Sequence, residues 1–229
     1  MPHQDNISKT IRGYHFTSFE YGISNIKNSR LKIARIHELN DPFEFRNFII
    51  PDYEDGRIKQ EFVRAWDSQI GIVCFSKSYA NPTMWGHYAE NAKGLALGFN
   101  LPSPYLPSPC SMEVDYDNSF LYPPTIEGID RNFIKKLLST KSKNWEYEDE
   151  LRIFLELRDA EFDERSKKFM YFAPFSDEMQ LREVFLGPEC KVDKSDIEQI
   201  KRYVNHPEVE VFRTVRANDR FEILKVPIL

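Results

Sequence analysis

Two periodicities run through the 229-residue chain, one of two residues and one of three to four. The first marks strands and the second helices. Residues 13–17 open as a short strand in which Tyr14 and Phe16 face one way and His15 and Thr17 the other. A helix follows at once, because Thr17 and Glu20 form a T-x-x-E capping pattern and Phe19, Ile23 and Ile26 share a face. RLKIARI predicts a strand, HELNDPFEF a loop, and Ile58, Phe62 and Trp66 a second helix. The continuously apolar IGIVCF suits a strand buried on both faces. SKSYANPT then reads as a loop, MWGHYAENA as a short helix, and GLALGF and MEVDYD as strands. A longer helix carries Ile126, Ile129, Phe133 and Leu137 along one stripe.

The clearest alternation spans residues 147–157. Leu151, Ile153, Leu155 and Leu157 share one face, and Glu148, Glu150, Arg152 and Phe154 the other. DAEFDERSKK reads as a solvated hairpin or loop. Strands are expected at 169–173 and 183–186, a helix capped by Ser195 with Glu198 comes next, and strands at 209–215 and 221–226 end the chain. Strands mixed with helices, without strict βαβ alternation, predict an α+β fold with one or two mixed sheets. With no repeat or low-complexity divider, residues 1–229 are expected to form a single domain, 1–12 as a polar tail and 13–229 as the globular part.

Composition narrows the function classes. An apolar content of 41% with 14% aromatics excludes a disordered chain. A net charge of -5 argues against general electrostatic capture of nucleic acid or an acidic membrane. Cys74, Cys110 and Cys190 are far apart, no CxxC occurs and no histidine pair has helical ligand spacing, so no metal is expected. The start of the chain is polar, and the longest uncharged run, 94–112, is broken by four prolines. The expectation is a cytoplasmic, reduced protein without a membrane anchor. No phosphate loop, dinucleotide fingerprint, nucleophile elbow or HExxH is present.

Three polar constellations remain. In GYHFTS, followed by LNDPFE, His15 and Thr17 project together and can bond a ligand, although a polar strand face meeting a loop is the plainer explanation. Asn40 and Asp41 belong to a turn and are explained by backbone hydrogen bonds; Glu44 is less easily explained. In CFSKSYANPTMWGHYAENAKG a buried strand ends in Ser76, and a helix presents Trp85 and Tyr88 three residues apart. Such a pair is usually core, but a half-exposed ring can stack on a planar ligand. In KSKNWEYEDELRIFL, Glu148 and Glu150 on a strand stand roughly 6.5 Å apart, with Arg152 continuing the face. An ionised, oriented carboxylate suits a transition state of oxocarbenium character. The plainer reading is a charged ladder on an amphipathic edge strand, which Trp145 and Tyr147 weaken by suggesting a partly enclosed pocket. Arg131, Lys135, Lys136, Lys141 and Lys143 form a basic run without an acid, read as a solvated helix face before a phosphate-tracking surface.

Taken together, YHFTS, LNDPFE, CFS with MWGHYAENAKG, KSKNWEYEDELR and EVFLG closely resemble the bacterial family called domain of unknown function 2971, over residues 14–187. That family is similar, remotely, to the ADP-ribosyltransferase superfamily, which includes DNA-targeting toxin transferases and phage-resistance proteins. The resemblance implies a split α+β core of two sheets around a cleft that takes NAD as substrate. It matches His15 to a first-strand polar position, Ser76 or Tyr88 to a middle position, and Glu150, before Glu148, to the catalytic glutamate. It further implies that His15 and Thr17 hold the adenosine-side ribose or pyrophosphate, that Tyr88 or Trp85 stacks on nicotinamide, and that Glu148 and Arg152 orient Glu150 or the acceptor. The LNDPFE turn, with Asn40 and Glu44, has no counterpart in the transferases and any binding role is particular to this family. The expected function is an NAD-dependent ADP-ribosyltransferase or NAD glycohydrolase of a phage-defence or toxin system, acting on a protein or nucleic-acid acceptor. The alternative is a non-catalytic module that binds a nucleotide or a partner. A glycosidase pair ranks lowest, because neighbours on one strand do not flank a scissile bond.

Overall fold

A computed structural model describes residues 10–49, 56–104, 111–123, 129–163, 167–204 and 206–228. Ile126 of the expected helical stripe, Cys110 and most of the polar tail lie outside these residues. The fold is α+β, built on a large mixed sheet with helices on both faces.

The sheet consists of two wings. One wing contains β1 (Thr10–Thr17), β4 (Leu95–Pro102), β11 (Gln180–Leu186), β12 (Glu210–Arg216) and β13 (Ile223–Pro227), adjacent in that order. β11 and β12 are parallel, joined across α5 (Lys194–Val204), and the other pairings in this wing are antiparallel. The second wing contains β2 (Arg30–Arg35), β3 (Ile70–Ser76), β8 (Glu150–Glu156), β9 (Glu161–Asp163) and β10 (Lys168–Pro174), with β5 (Ser111–Glu113) beyond β8. β3 pairs with β8 along its whole length, from Ile70↔Glu156 to Ser76↔Glu150. Its other edge is shared. β2 takes the start, at Gly71 and Ile72, and β1 takes only the end, at Tyr14↔Ser76. That single register pair joins the two wings.

One face of both wings is continuous. Val73, Phe75, Leu97 and Leu151 lie on it, packed with Ile26 of α1 (Phe19–Lys27) and Ile200 of α5. The other face is divided into two cores. Phe45, Phe48, Ile72 and Leu137 cluster with Val63 of α2 (Arg57–Asp67) and with α4 (Arg131–Leu138). Phe16, Ala96 and Phe185 cluster with Met84 and Trp85 of α3 (Pro82–Tyr88). Burying each such side chain stabilises the fold by about 1.5–3 kcal/mol, so each half of the divided face holds its helices independently. The functional groups lie between the halves.

Several local expectations are corrected. Ser18, not Thr17, caps α1 by accepting the Tyr21 N–H at 3.3 Å, because Thr17 is still paired with Leu95 in the strand. At α5 the reciprocal capping bonds are made by Asp193 and Asp196, both at 3.0 Å, rather than by Ser195 and Glu198. The alternation over 147–157 holds only from Glu150. Residues Lys143–Glu148 form a 3-10 helix, and Asp149 turns the chain through a left-handed conformation, φ 44°. β8 is also no edge strand, since β3 and β5 flank it.

Candidate functional site

A cleft of about 210 Å³ opens where β1 departs from β3. Tyr14, His15, Ser76, Tyr88, Glu148 and Glu150 line it. On β1, Tyr14 shares a face with Phe16 and the α3 core, whereas His15 points to the opposite face. His15 reaches the cleft only because the wings splay. Its Nδ1–H donates to the Cys74 carbonyl at 3.1 Å, across the stretch of β3 that neither β1 nor β2 covers. A carbonyl only accepts, so this bond fixes the neutral tautomer with Nε2 unprotonated. Burial pushes the imidazole pKa down, against the opposing effect of that bond.

The turn before α2 supplies two more groups. Asp41 Oδ1 accepts the Phe43 N–H at 2.9 Å, an Asx turn that follows from a short acceptor ahead of proline. The turn projects the Asn40 amide toward the Tyr88 hydroxyl and to 3.3 Å from Glu148 Oε1. It also buries Glu44 against the Arg152 guanidinium. From α3, whose N-cap Asn81 accepts the Thr83 N–H, Tyr88 donates its hydroxyl to Glu148 Oε1.

Behind the cleft is a buried charge cluster. Arg152 donates from Nε to Glu150 Oε1 at 3.0 Å and from Nη2 to Glu150 Oε2 at 2.8 Å. Its Nη1 donates to the Leu138 carbonyl at 2.7 Å. Lys141, on the two-residue strand β7 (Thr140–Lys141) that pairs with β6 (Asp115–Tyr116), places Nζ 2.5 Å from Glu148 Oε2. The same ammonium lies 3.5 Å from Glu150, 3.7 Å from Glu44 and 4.9 Å from the centre of the Trp145 ring. Tyr116 accepts the Glu150 N–H at 2.9 Å. Burial pushes the Glu150 carboxyl up, but the Arg152 and Lys141 charges overcome it and hold the pKa at about 2. Glu44 differs. Burial raises its pKa, and Arg152 and Lys141 offset that only in part. Burial, then the bond to Glu148, raises the Tyr88 phenol, while burial and Glu183 push Tyr14 up to about 12. Three carboxylates face two cations, so the cluster favours a positively charged group in the cleft.

The structure brings His15, Asn40, Ser76, Tyr88, Glu148 and Glu150 to one cleft and seats Glu44 and Arg152 directly behind it. Two expected residues are elsewhere. Thr17 shares the face of His15 but lies two residues further along β1, its methyl against Gly22 of α1 and outside the cleft. Trp85 is 1% exposed, donates its indole N–H to the Tyr79 carbonyl at 2.6 Å and meets Phe16 edge-on at 5.1 Å, so it is core. Ser76 Oγ is engaged with the Ser78 backbone in a local turn. Glu148 and Glu150 are not strand neighbours; they converge because the turn at Asp149 folds the 3-10 helix back over β8. Lys141 is the main residue that sequence reasoning misplaced. It belongs to no solvated helix face but is 3% exposed at the centre of the cluster. The available signal was its position seven residues before Glu148, inside the same motif as both glutamates.

Residues 84–153 match the family model described as Protein of unknown function (DUF2971). The match spans 70 of the 229 residues. The DUF2971 segment carries Tyr88, Lys141, Glu148, Glu150 and Arg152, whereas His15, Asn40, Glu44 and Ser76 reach the cleft from outside it. No curated protein and no solved structure matches the chain. Among the described residues no helix is long and apolar enough to cross a membrane.

Proposed function

We propose that the cleft binds NAD and cleaves its nicotinamide–ribose bond, passing ADP-ribose to water or to a macromolecular acceptor. The supporting observation is a carboxylate pair, Glu148 and Glu150, lining a cleft between two sheet wings with Glu150 held ionised at about pKa 2. The bond that breaks leaves its electron pair on the pyridine nitrogen, and positive charge develops on the ribose. Ionised carboxylates fixed in a water-poor site oppose that charge without reorganising. The acceptor then bonds to the anomeric carbon and gives up a proton, which the carboxylate of Glu148 takes in this reading. Glu148 is the better placed of the two to meet the sugar, since its Oε1 already takes hydroxyl and amide donors from Tyr88 and Asn40. Glu150 spends both oxygens on Arg152. The cleft volume is below the roughly 300–1,000 Å³ of typical ligand sites, which suits the ring-and-sugar half of a dinucleotide with the remainder outside.

One observation favours a binding module without turnover. Arg152 and Lys141 already neutralise much of the charge that catalysis would use. Nicotinamide release from NAD separates the readings when wild type is compared with Glu148→Gln and Tyr88→Phe, both checked for an unchanged melting profile. Release that falls steeply in Glu148→Gln supports the enzyme. A melting shift with NAD but no release in any form supports the module.

A further inference from the structure

A second recess, of about 150 Å³, lies beside the cleft, and Lys141 forms part of the wall of both. Asp41, Asn47, Asp117, Asn118, Ser119 and Ser142 are the polar residues among its lining. Two of those side chains are buried with an acceptor that no donor reaches. Asp41 is 5% exposed and uses Oδ1 in its turn, which leaves Oδ2 without a partner. Asn47 is 8% exposed and its Oδ1 is likewise without one. A buried unpaired acceptor costs the fold on the order of 1–3 kcal/mol, so two of them at one recess point to a ligand that supplies donors. At the mouth stand two exposed rings, Phe43 and Phe120, with centroids 6.2 Å apart and planes at 77°.

We infer that this recess binds a guanidinium group, with Asp41 Oδ2 and Asn47 Oδ1 as its acceptors, the Phe43 ring against one face and Phe120 standing nearly perpendicular beside it. The group is planar, cationic, carries five N–H donors and accepts nothing, which is the complement of an oxygen-lined floor under aromatic walls. Lys141 does not repel it strongly, because the ammonium is already paired with Glu148 at 2.5 Å. Asp117 adds a second carboxylate, kept ionised by hydrogen bonds from Ser119. A neutral base would satisfy the acceptors but leave the carboxylates uncompensated. Under the proposed NAD reading the recess is the place of the second substrate, but its occupancy is tested without NAD.

The probe is Nα-acetyl-arginine amide, titrated into the full chain by calorimetry, with the citrulline amide as a neutral control of the same shape. The expected result is saturable binding of the arginine compound alone, weakened about tenfold or more in Asp41→Asn, which retains the turn acceptor, and also weakened in Phe43→Ala. A pentapeptide with arginine between glycines then identifies the source. Tighter binding than the amide assigns a protein side chain, and equal binding assigns a small guanidino compound. Equal affinity for arginine and citrulline amides, no binding of either, or full binding in Asp41→Asn would overturn the inference. None of these outcomes is read from nicotinamide release, so the two proposals fail separately.

Discussion

Arg152 and Glu150, two residues apart on β8, face each other through two hydrogen bonds of 3.0 and 2.8 Å. The guanidinium is fully buried, so the pair is as much a structural element as a chemical one. Replacing Glu150 by Gln leaves a buried cation short of a counter-charge. Breaking such a pair costs about 3–5 kcal/mol, and Glu150→Gln is expected to lose that much in chemical denaturation. Glu148→Gln should lose less, because a Gln oxygen still accepts from Tyr88 and Asn40 and Lys141 keeps Glu150 and Glu44 as counter-charges. Equal stability of the two variants would contradict this division of labour.

The same pair sets an acid limit. Glu150 has a folded pKa of about 2, below the ordinary value of 4.5, so its contribution is complete above pH 4.5 and is lost as pH falls toward 2. Glu44 works in the opposite direction, since its raised pKa means the folded state takes up a proton more readily. Urea denaturation followed from pH 6 to 3 should therefore show a smaller acid loss in Glu150→Gln than in wild type. Glu44→Gln should remove the cost of a buried charge, and its acid loss should be at least that of wild type.

His15 adds a separate step at milder pH. Its folded pKa lies below 6.5, so folding is favoured above that value and weakened as pH falls through the folded pKa. Ring NMR signals should report a neutral Nδ1–H tautomer at pH 6.5, unchanged on going to pH 7.5. A ring charged at pH 6.5 would contradict the effect of burial, and a neutral ring without a proton on Nδ1 would contradict the bond to Cys74.

Trp85 should separate stability from binding. Trp85→Ala empties a packed core position and is expected to cost about 3–5 kcal/mol. Any ligand of the cleft should bind the folded variant as it binds wild type, measured below its melting range. Tyr88→Phe should do the reverse, with little change in melting and a loss of affinity.

The sequence made the strands and helices legible where one face is apolar, as with Leu151 and Ile153 or with Phe62 and Trp66. It also singled out His15, Tyr88, Glu148 and Glu150, which the structure brings to one cleft. It did not show which polar groups meet. The approach of Glu148 to Glu150 depends on one left-handed residue, Asp149, that carries no glycine to announce it. Lys141 was hidden because its burial depends on parallel pairing with Tyr116 and on three carboxylates, one of them, Glu44, from a distant segment. Thr17 and Trp85 were placed in the site by their neighbours in sequence, and packing against α1 and within the α3 core takes them out of it.

The join at Tyr14↔Ser76, helped by one imidazole, leaves the broad sheet with a seam. Each wing has its own ladder and, on the divided face, its own helices, so on that face the line is bridged by little else. A ligand in the cleft touches Tyr14 and His15 on one side and Ser76 and Glu150 on the other. Its first mechanical effect is that of a rivet: two plates that share one register pair become a single plate, and the stiffness of the molecule then reports whether the cleft is filled.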